Sequence, residues 1–169
     1  MAVGAETRAM IDCLEDNDGI TLTPTERLLM ATDGTVTHML EALTRDHVTV
    51  DIISRDVMAG VLHRDVVLRQ ARDGSPLVWA ASDVPLDPLE DDITDELVEG
   101  TMGIGDLLRA RGAETRRRIT DMRVRHAGEE NLPPFVNGQA MVYLERTYNV
   151  HQHGERVMTI TEFFPRDRF

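Results

Sequence analysis

Tyr143-Leu-Glu-Arg-Thr-Tyr-Asn-Val-His-Gln-His-Gly-Glu-Arg-Val-Met-Thr-Ile-Thr-Glu-Phe-Phe-Pro165 reads as one β-hairpin. Two alternating runs flank the turn His151–Glu155, and Gly154 supplies the positive φ that such a turn favours. Side chains alternate across a strand. Val157, Thr159, Thr161 and Phe163 therefore share one face of the second run, and Met158, Ile160, Glu162 and Phe164 share the other. Glu162 thus stands among three apolar residues. A carboxylate buried there needs a shifted protonation equilibrium or a polar partner, as many catalytic carboxylates do. The competing reading is an edge strand on which Glu162 reaches water.

Working outward, the rest of the chain divides into elements of the same α+β kind. Residues 5–15 form an amphipathic pattern closed by the acidic stretch to Gly19. Thr23-Pro24 with Glu26 has the form of an N-cap opening a helix to about Ala31, and Thr35 can cap a second helix carrying Val36, Met39, Leu40 and Leu43. Period two then takes over in His47–Met58, Leu62–Arg69 and Leu77–Ser82, with the turn Arg72-Asp-Gly-Ser-Pro76 between the last two. Pro85 and Pro88 lead into an acidic helix, Leu89–Glu99, whose Ile93 and Leu97 face inward. Gly103-Ile-Gly-Asp-Leu-Leu-Arg109 opens a short helix. It lacks the preceding strand and third glycine of a nucleotide fingerprint, although amides at its start can hold an anion. Glu114–His126 is a further strand, and Ala127–Gly138 is a loop. Antiparallel strands in chain order, with helices at the start and in one central insertion, predict a single-sheet α+β fold in one domain, residues 1–169.

Composition narrows the function. At 169 residues, 41% hydrophobic and 28% charged, the chain fits a soluble globular protein. No apolar run approaches the roughly 20 residues of a membrane span, and the N-terminus lacks the regions of a signal peptide, so the expectation is a cytoplasmic protein without a membrane partner. Cys13, the only cysteine, excludes an intrachain disulfide and multi-cysteine metal sites. All 18 basic residues are arginine, which excludes a Schiff-base lysine, covalently held pyridoxal phosphate and a phosphate-loop lysine. The net charge of −12 argues against nucleic acid. A small anion can still bind where particular arginines reverse the local field.

Three segments taken together resemble the chorismate pyruvate-lyase family, including its archaeal and actinobacterial branch. They are Val61-Leu-His-Arg-Asp-Val-Val-Leu with its return to Trp79-Ala-Ala-Ser, the Gly103-Ile-Gly-Asp-Leu-Leu turn, and Arg146-Thr-Tyr-Asn-Val through Thr161-Glu-Phe-Phe-Pro165. Ala31-Thr-Asp-Gly-Thr-Val-Thr fits the same pattern, and the order of the segments is right over roughly residues 25–165. Gly103 stands where the family often has proline, and Ile104 where it has leucine.

The resemblance implies an antiparallel sheet with helical flaps over its site, and conversion of chorismate to 4-hydroxybenzoate and pyruvate without a cofactor or metal. It also implies roles. Arg64 would pair the ring carboxylate, Val36 and Ile104 would offer flap backbone amides to the same group, and Glu162 would face the ring hydroxyl, making Arg64 and Glu162 the candidate catalytic pair. Arg146 would meet the enolpyruvyl carboxylate. A guanidinium fork matches a carboxylate in two-point geometry, which suits such a substrate. Each position has a plainer reading too. Arg64 can snorkel at the sheet edge, Arg146 can pair across the hairpin with Glu162 or Glu155, and Glu114 can be a solvated strand end. His151 and His153 share a strand face as metal ligands would, but read as turn residues for want of a third ligand. Gly103 and Gly105 can simply permit a tight turn. The alternative from another class is a non-catalytic aromatic-acid binding or sensing domain of the same fold, disfavoured by the lack of a DNA-binding segment ahead of it.

Overall fold

The computed structural model describes residues 5–87, 89, 91–100, 102–166 and 168–169. Pro88 and Glu90, at the start of the predicted acidic helix, lie outside the described residues, as do residues 1–4 of the N-terminus. Six strands make one antiparallel sheet: β1 (Val48–Met58), β2 (Val61–Gln70), β3 (Pro76–Pro85), β4 (Thr115–His126), β5 (Val142–Gln152) and β6 (Glu155–Pro165). The helices are α1 (Ala5–Asp18), α2 (Pro24–Ala31), α3 (Val36–Thr44), α4 (Asp91–Glu99) and α5 (Ile104–Ala110). The single-sheet α+β class expected from the sequence, with helices over one face, is the one observed.

The strands do not lie in chain order. After β3 the chain leaves through α4 and α5 and returns at the far edge, giving β1-β2-β3-β6-β5-β4. The composition of β6 accounts for its central place. Val157, Met158, Ile160, Phe163 and Phe164 are all buried, so this strand needs cover on both faces, whereas β1 and β4 alternate toward solvent and can serve as edges. The turn that launches β6 falls within the predicted stretch but is shorter, His153 at φ 52° and Gly154 at φ 87°, with His151 and Gln152 still in β5 and Glu155 already in β6.

Even-numbered residues of β2, β3, β5 and β6 point to the helical side. There Leu68, Val78, Leu144 and Phe164 pack with α1, α2 and α3 through Leu14, Leu29 and Leu40, while Leu62, Val84, Met158 and Ile160 pack with α4 and α5 through Ile93, Leu97 and Leu107. The opposite face is buried only where the 127–141 loop covers it, placing Leu132 and Val136 on Val67, Trp79, Tyr143 and Phe163. Elsewhere that face is polar: Thr147 and Thr161 join hydroxyls at 2.9 Å and Thr159 donates to Asn149 at 2.8 Å. The two helical clusters leave a gap between them on the covered face.

Two helix starts differ from one another in an informative way. Thr23 accepts from the Glu26 amide at 3.1 Å and donates its own amide to the Glu26 carboxylate at 2.7 Å, a complete capping box for α2. Thr35 sits at the N-cap of α3 but makes no capping hydrogen bond, contrary to the sequence expectation. Among the described residues no helix is long and apolar enough to cross a membrane.

Candidate active site

The gap between the clusters is a narrow cavity of about 80 Å³, roofed by two helix starts. Its floor crosses the sheet: Arg64 from β2, Ala80 and Ser82 from β3, Ile160 and Glu162 from β6, Tyr148 and Val150 from β5, and Arg117 from β4. Its roof is the start of α3, with Thr35 and Val36, and the start of α5, with Gly103, Ile104 and Gly105. Four of the five residues predicted for the site, Val36, Arg64, Ile104 and Glu162, thus line one cavity.

Arg64 is 2% exposed, which excludes the snorkelling reading. Its Nη2 donates to the Met102 carbonyl at 2.7 Å, but its Nε is buried with no partner, and among the described residues it forms no ion pair. Burial, reinforced by the Arg55 charge paired opposite it on β1, lowers its pKa. Such a cation is expensive to hold dry. Arg55 is itself satisfied, donating to the carbonyls of Val98 at 2.5 Å and Gly100 at 2.8 Å at the C-terminal end of α4, where the helix dipole favours a cation. Arg55 and Arg64 together therefore tether the segment that leads into α5.

Glu162 is 5% exposed on a central strand, so the edge-strand reading fails. Each of its oxygens receives a donor: Arg146 Nη2 reaches Oε2 at 2.5 Å and the Tyr148 hydroxyl reaches Oε1 at 3.0 Å. Burial first, and then the neighbouring Glu162 charge, push the Tyr148 pKa far up, so the phenol is held as a neutral donor. The result is a carboxylate oriented from behind by two donors and open to the cavity in front.

Arg146 does not occupy the place expected of it. It is 1% exposed and does not line the cavity; Nη1 donates to the carbonyls of Leu29 at 2.6 Å and Thr32 at 2.7 Å, at the end of α2, while the guanidinium lies over the rings of Tyr148 and Phe164. With Nη1 and Nη2 engaged, the expected contact with an enolpyruvyl carboxylate gives way to the cross-hairpin pairing with Glu162, which the register Arg146↔Glu162 enforces. Its role is to position Glu162 and to anchor the base of the α3 flap.

Val36 and Ile104 are the first residues of α3 and α5, and no side chain caps either helix. Amides of a first turn have no intrahelical acceptor, so both helices bring free donors to the roof. The flaps touch at Gly105, where a Cβ would lie 3.2 Å from Thr35 Cγ2 and 3.4 Å from Arg117 Nη2. Close approach, rather than a tight turn, is what that glycine permits. Gly103 sits in extended backbone at φ −63°, so the tight-turn reading fails for it as well.

Arg117 was missed as a site residue because Arg116-Arg117-Arg118 reads as a charged strand end. The signal was nonetheless present: three consecutive charges on a strand cannot all face water, and the middle one must point to the opposite side. Glu114 is exposed, as its plainer reading has it; His153 falls in the turn, whereas His151 is the penultimate residue of β5 and not a turn residue. Among the described residues no group of three or more His, Cys, Asp or Glu side chains is arranged to hold a metal.

The family model for chorismate pyruvate-lyase Rv2949c-like proteins matches residues 30–168. The chain belongs to this family. A Methanocaldococcus jannaschii protein named "Putative lyase MJ0807" is 30% identical over 144 residues, covering 82% of this chain and 77% of its own. The chorismate pyruvate-lyase of Mycobacterium leprae is 28% identical over 164 residues, covering 85% and 75%. Among solved structures, PhnF from Mycobacterium smegmatis matches with a TM-score of 0.62 at 13% identity over 82% of this chain, which spans 66% of PhnF. The PhnF effector domain alone gives 0.61 at 14% identity, covering 80% and 90%. At such identities the PhnF likeness concerns the fold only.

Proposed function

We propose that the protein is a cofactor-free lyase that eliminates pyruvate from chorismate and leaves 4-hydroxybenzoate. The observation that carries this reading is Arg64, a buried guanidinium without an ion-pair partner among the described residues, which lines a cavity whose floor also presents the oriented carboxylate of Glu162. A ring carboxylate would satisfy Arg64 in two-point geometry and meet the amides of Val36 and Ile104 beneath the two flaps. The ring hydroxyl, para to that carboxylate, would then face Glu162, whose position Arg146 and Tyr148 fix.

The chemistry asks little more of the protein than orientation and electrostatic support. The ring proton at the carbinol carbon leaves, its electron pair completes the aromatic ring, and the neighbouring ether C–O bond breaks toward the side-chain oxygen. The departing enolpyruvate, protonated at its methylene carbon, is pyruvate, so substrate atoms are conserved. Aromaticity supplies the driving force, and a dry cavity strengthens each charge contact.

Pyruvate and 4-hydroxybenzoate should appear in equal amounts when purified protein is mixed with chorismate, at a rate unaffected by a chelator. No pyruvate at any protein concentration, or a strictly metal-dependent rate, would refute the proposal. A second reading has one observation in its favour, the fold shared with the PhnF effector domain: a binder of aromatic acids that performs no chemistry. It predicts tight 4-hydroxybenzoate binding with no pyruvate release.

A further inference from the structure

Chorismate carries two carboxylates, and the site as described so far receives only one. Arg146 cannot take the second from behind Glu162, and among the described residues lining the cavity Arg64 and Arg117 are the only cations. Arg117 has the marks of a group awaiting an anion. Its Nη1 donates to the Asp33 carbonyl at 3.1 Å, its Nε is buried without a partner, and among the described residues no carboxylate lies within ion-pair distance. We propose that Arg117 receives the enolpyruvyl carboxylate and so distinguishes chorismate from its aromatic product, an inference that rests on the lyase reading above.

Strand order supports the assignment. Arg64 of β2, Ser82 of β3, Ile160 of β6 and Tyr148 of β5 lie on one line across the sheet, at roughly 4.8 Å per strand, with Glu162 two residues to one side of it and Arg117 of β4 two residues to the other. In chorismate the enolpyruvyl ether is attached beside the ring hydroxyl, at the end remote from the ring carboxylate. With that carboxylate on Arg64 and the hydroxyl at Glu162, the side chain projects past Tyr148 toward Arg117. The Arg117 charge is felt there: after burial and Glu162 have raised the Tyr148 pKa, Arg146 and Arg117 oppose the shift. Arg117 also holds the carbonyl of Asp33 ahead of α3 and lies against Gly105 of α5, so it sits where the two flaps meet. A substrate anchored at that point bridges the seam, whereas 4-hydroxybenzoate, lacking the side chain, does not reach it.

The test compares two constants in wild type, Arg117→Ala, Arg117→Gln and Arg117→Lys: KM for chorismate and Ki for 4-hydroxybenzoate. Loss of the half-buried charge should raise the chorismate KM at least about tenfold in the Ala and Gln variants. The 4-hydroxybenzoate Ki should stay within about twofold, and Lys should restore most of the chorismate affinity. Circular dichroism checks the fold of each variant, and Gln keeps a donor of intermediate length if Ala does not fold. Parallel weakening of both constants would make Arg117 a structural latch and overturn the inference, as would an unchanged chorismate KM. Absence of pyruvate in wild type is a different outcome, because it would overturn the lyase reading and this inference together.

Discussion

Arg64 and Arg146 are both fully buried on the helical face of the sheet, and the protein treats them in opposite ways. Arg146 has its two terminal nitrogens occupied by two helix-end carbonyls and a carboxylate. Arg64 gives one bond to a carbonyl and, among the described residues, has no carboxylate partner, while a buried Nε without a partner is common to both. Desolvating a cation costs several kcal/mol unless partners offset it, so the first is an element of the fold and the second carries a cost that a bound anion would offset. Burial alone does not separate these roles; the partners do.

The sharpest way to break that contrast is to measure stability. Arg146→Leu leaves Glu162 buried with Tyr148 as its remaining donor and should lower the unfolding free energy by about 3–5 kcal/mol in urea titrations. Arg64→Leu removes an uncompensated charge and should change stability by less than about 1 kcal/mol, or raise it. Equal losses in the two variants would erase the distinction.

Next in size is Glu162→Gln, which keeps the side chain's shape and removes the charge that faces the cavity; its oxygen can still accept from Arg146 Nη2, and the Tyr148 hydroxyl turns to accept from the new amide. Turnover of chorismate should fall on the order of 10²-fold with the circular dichroism spectrum retained. A folded Gln variant working at the parent rate would return Glu162 to a purely structural partner of Arg146.

A third effect lies in the alkaline range. The folded-state pKa of Tyr148 is raised above its usual value of 10.0, so its contribution is fully present below pH 10 and is lost as pH climbs beyond it. Wild-type stability should therefore decline above pH 10, by up to about 1.4 kcal/mol per pH unit from this group, and Tyr148→Phe should decline less steeply. Identical alkaline slopes would show that the phenol is not held as described. The smallest effect belongs to the flap seam. Gly105→Ala presses on Thr35 and Arg117, and 4-hydroxybenzoate affinity should weaken by about tenfold or less while the unfolding midpoint hardly moves.

Much of this was legible in the sequence because it is local. Period two placed Glu162 with Met158, Ile160 and Phe164, Gly154 marked the turn, and Thr23-Pro24 with Glu26 gave the α2 cap. What stayed hidden depends on distant partners. Arg146 bonds carbonyls 117 and 114 residues away, and no spacing rule reveals that its nitrogens are occupied. The return of β4 at the far edge is likewise a property of the whole sheet, since it follows from β6 requiring two covered faces. Thr35 looked like a cap because caps are judged by residue type, whereas α3 starts at the cavity and leaves its amides free. Arg117 was the one omission that local alternation within β4 could have prevented.

Calorimetric titration of 4-hydroxybenzoate into wild-type and Arg64→Ala protein, at matched ionic strength, tests the central claim most directly. The account predicts binding to wild type and a loss of about 2–5 kcal/mol in the variant, because a desolvated charge pair is removed. Equal affinity for both proteins would contradict it and reduce Arg64 to part of the cavity wall.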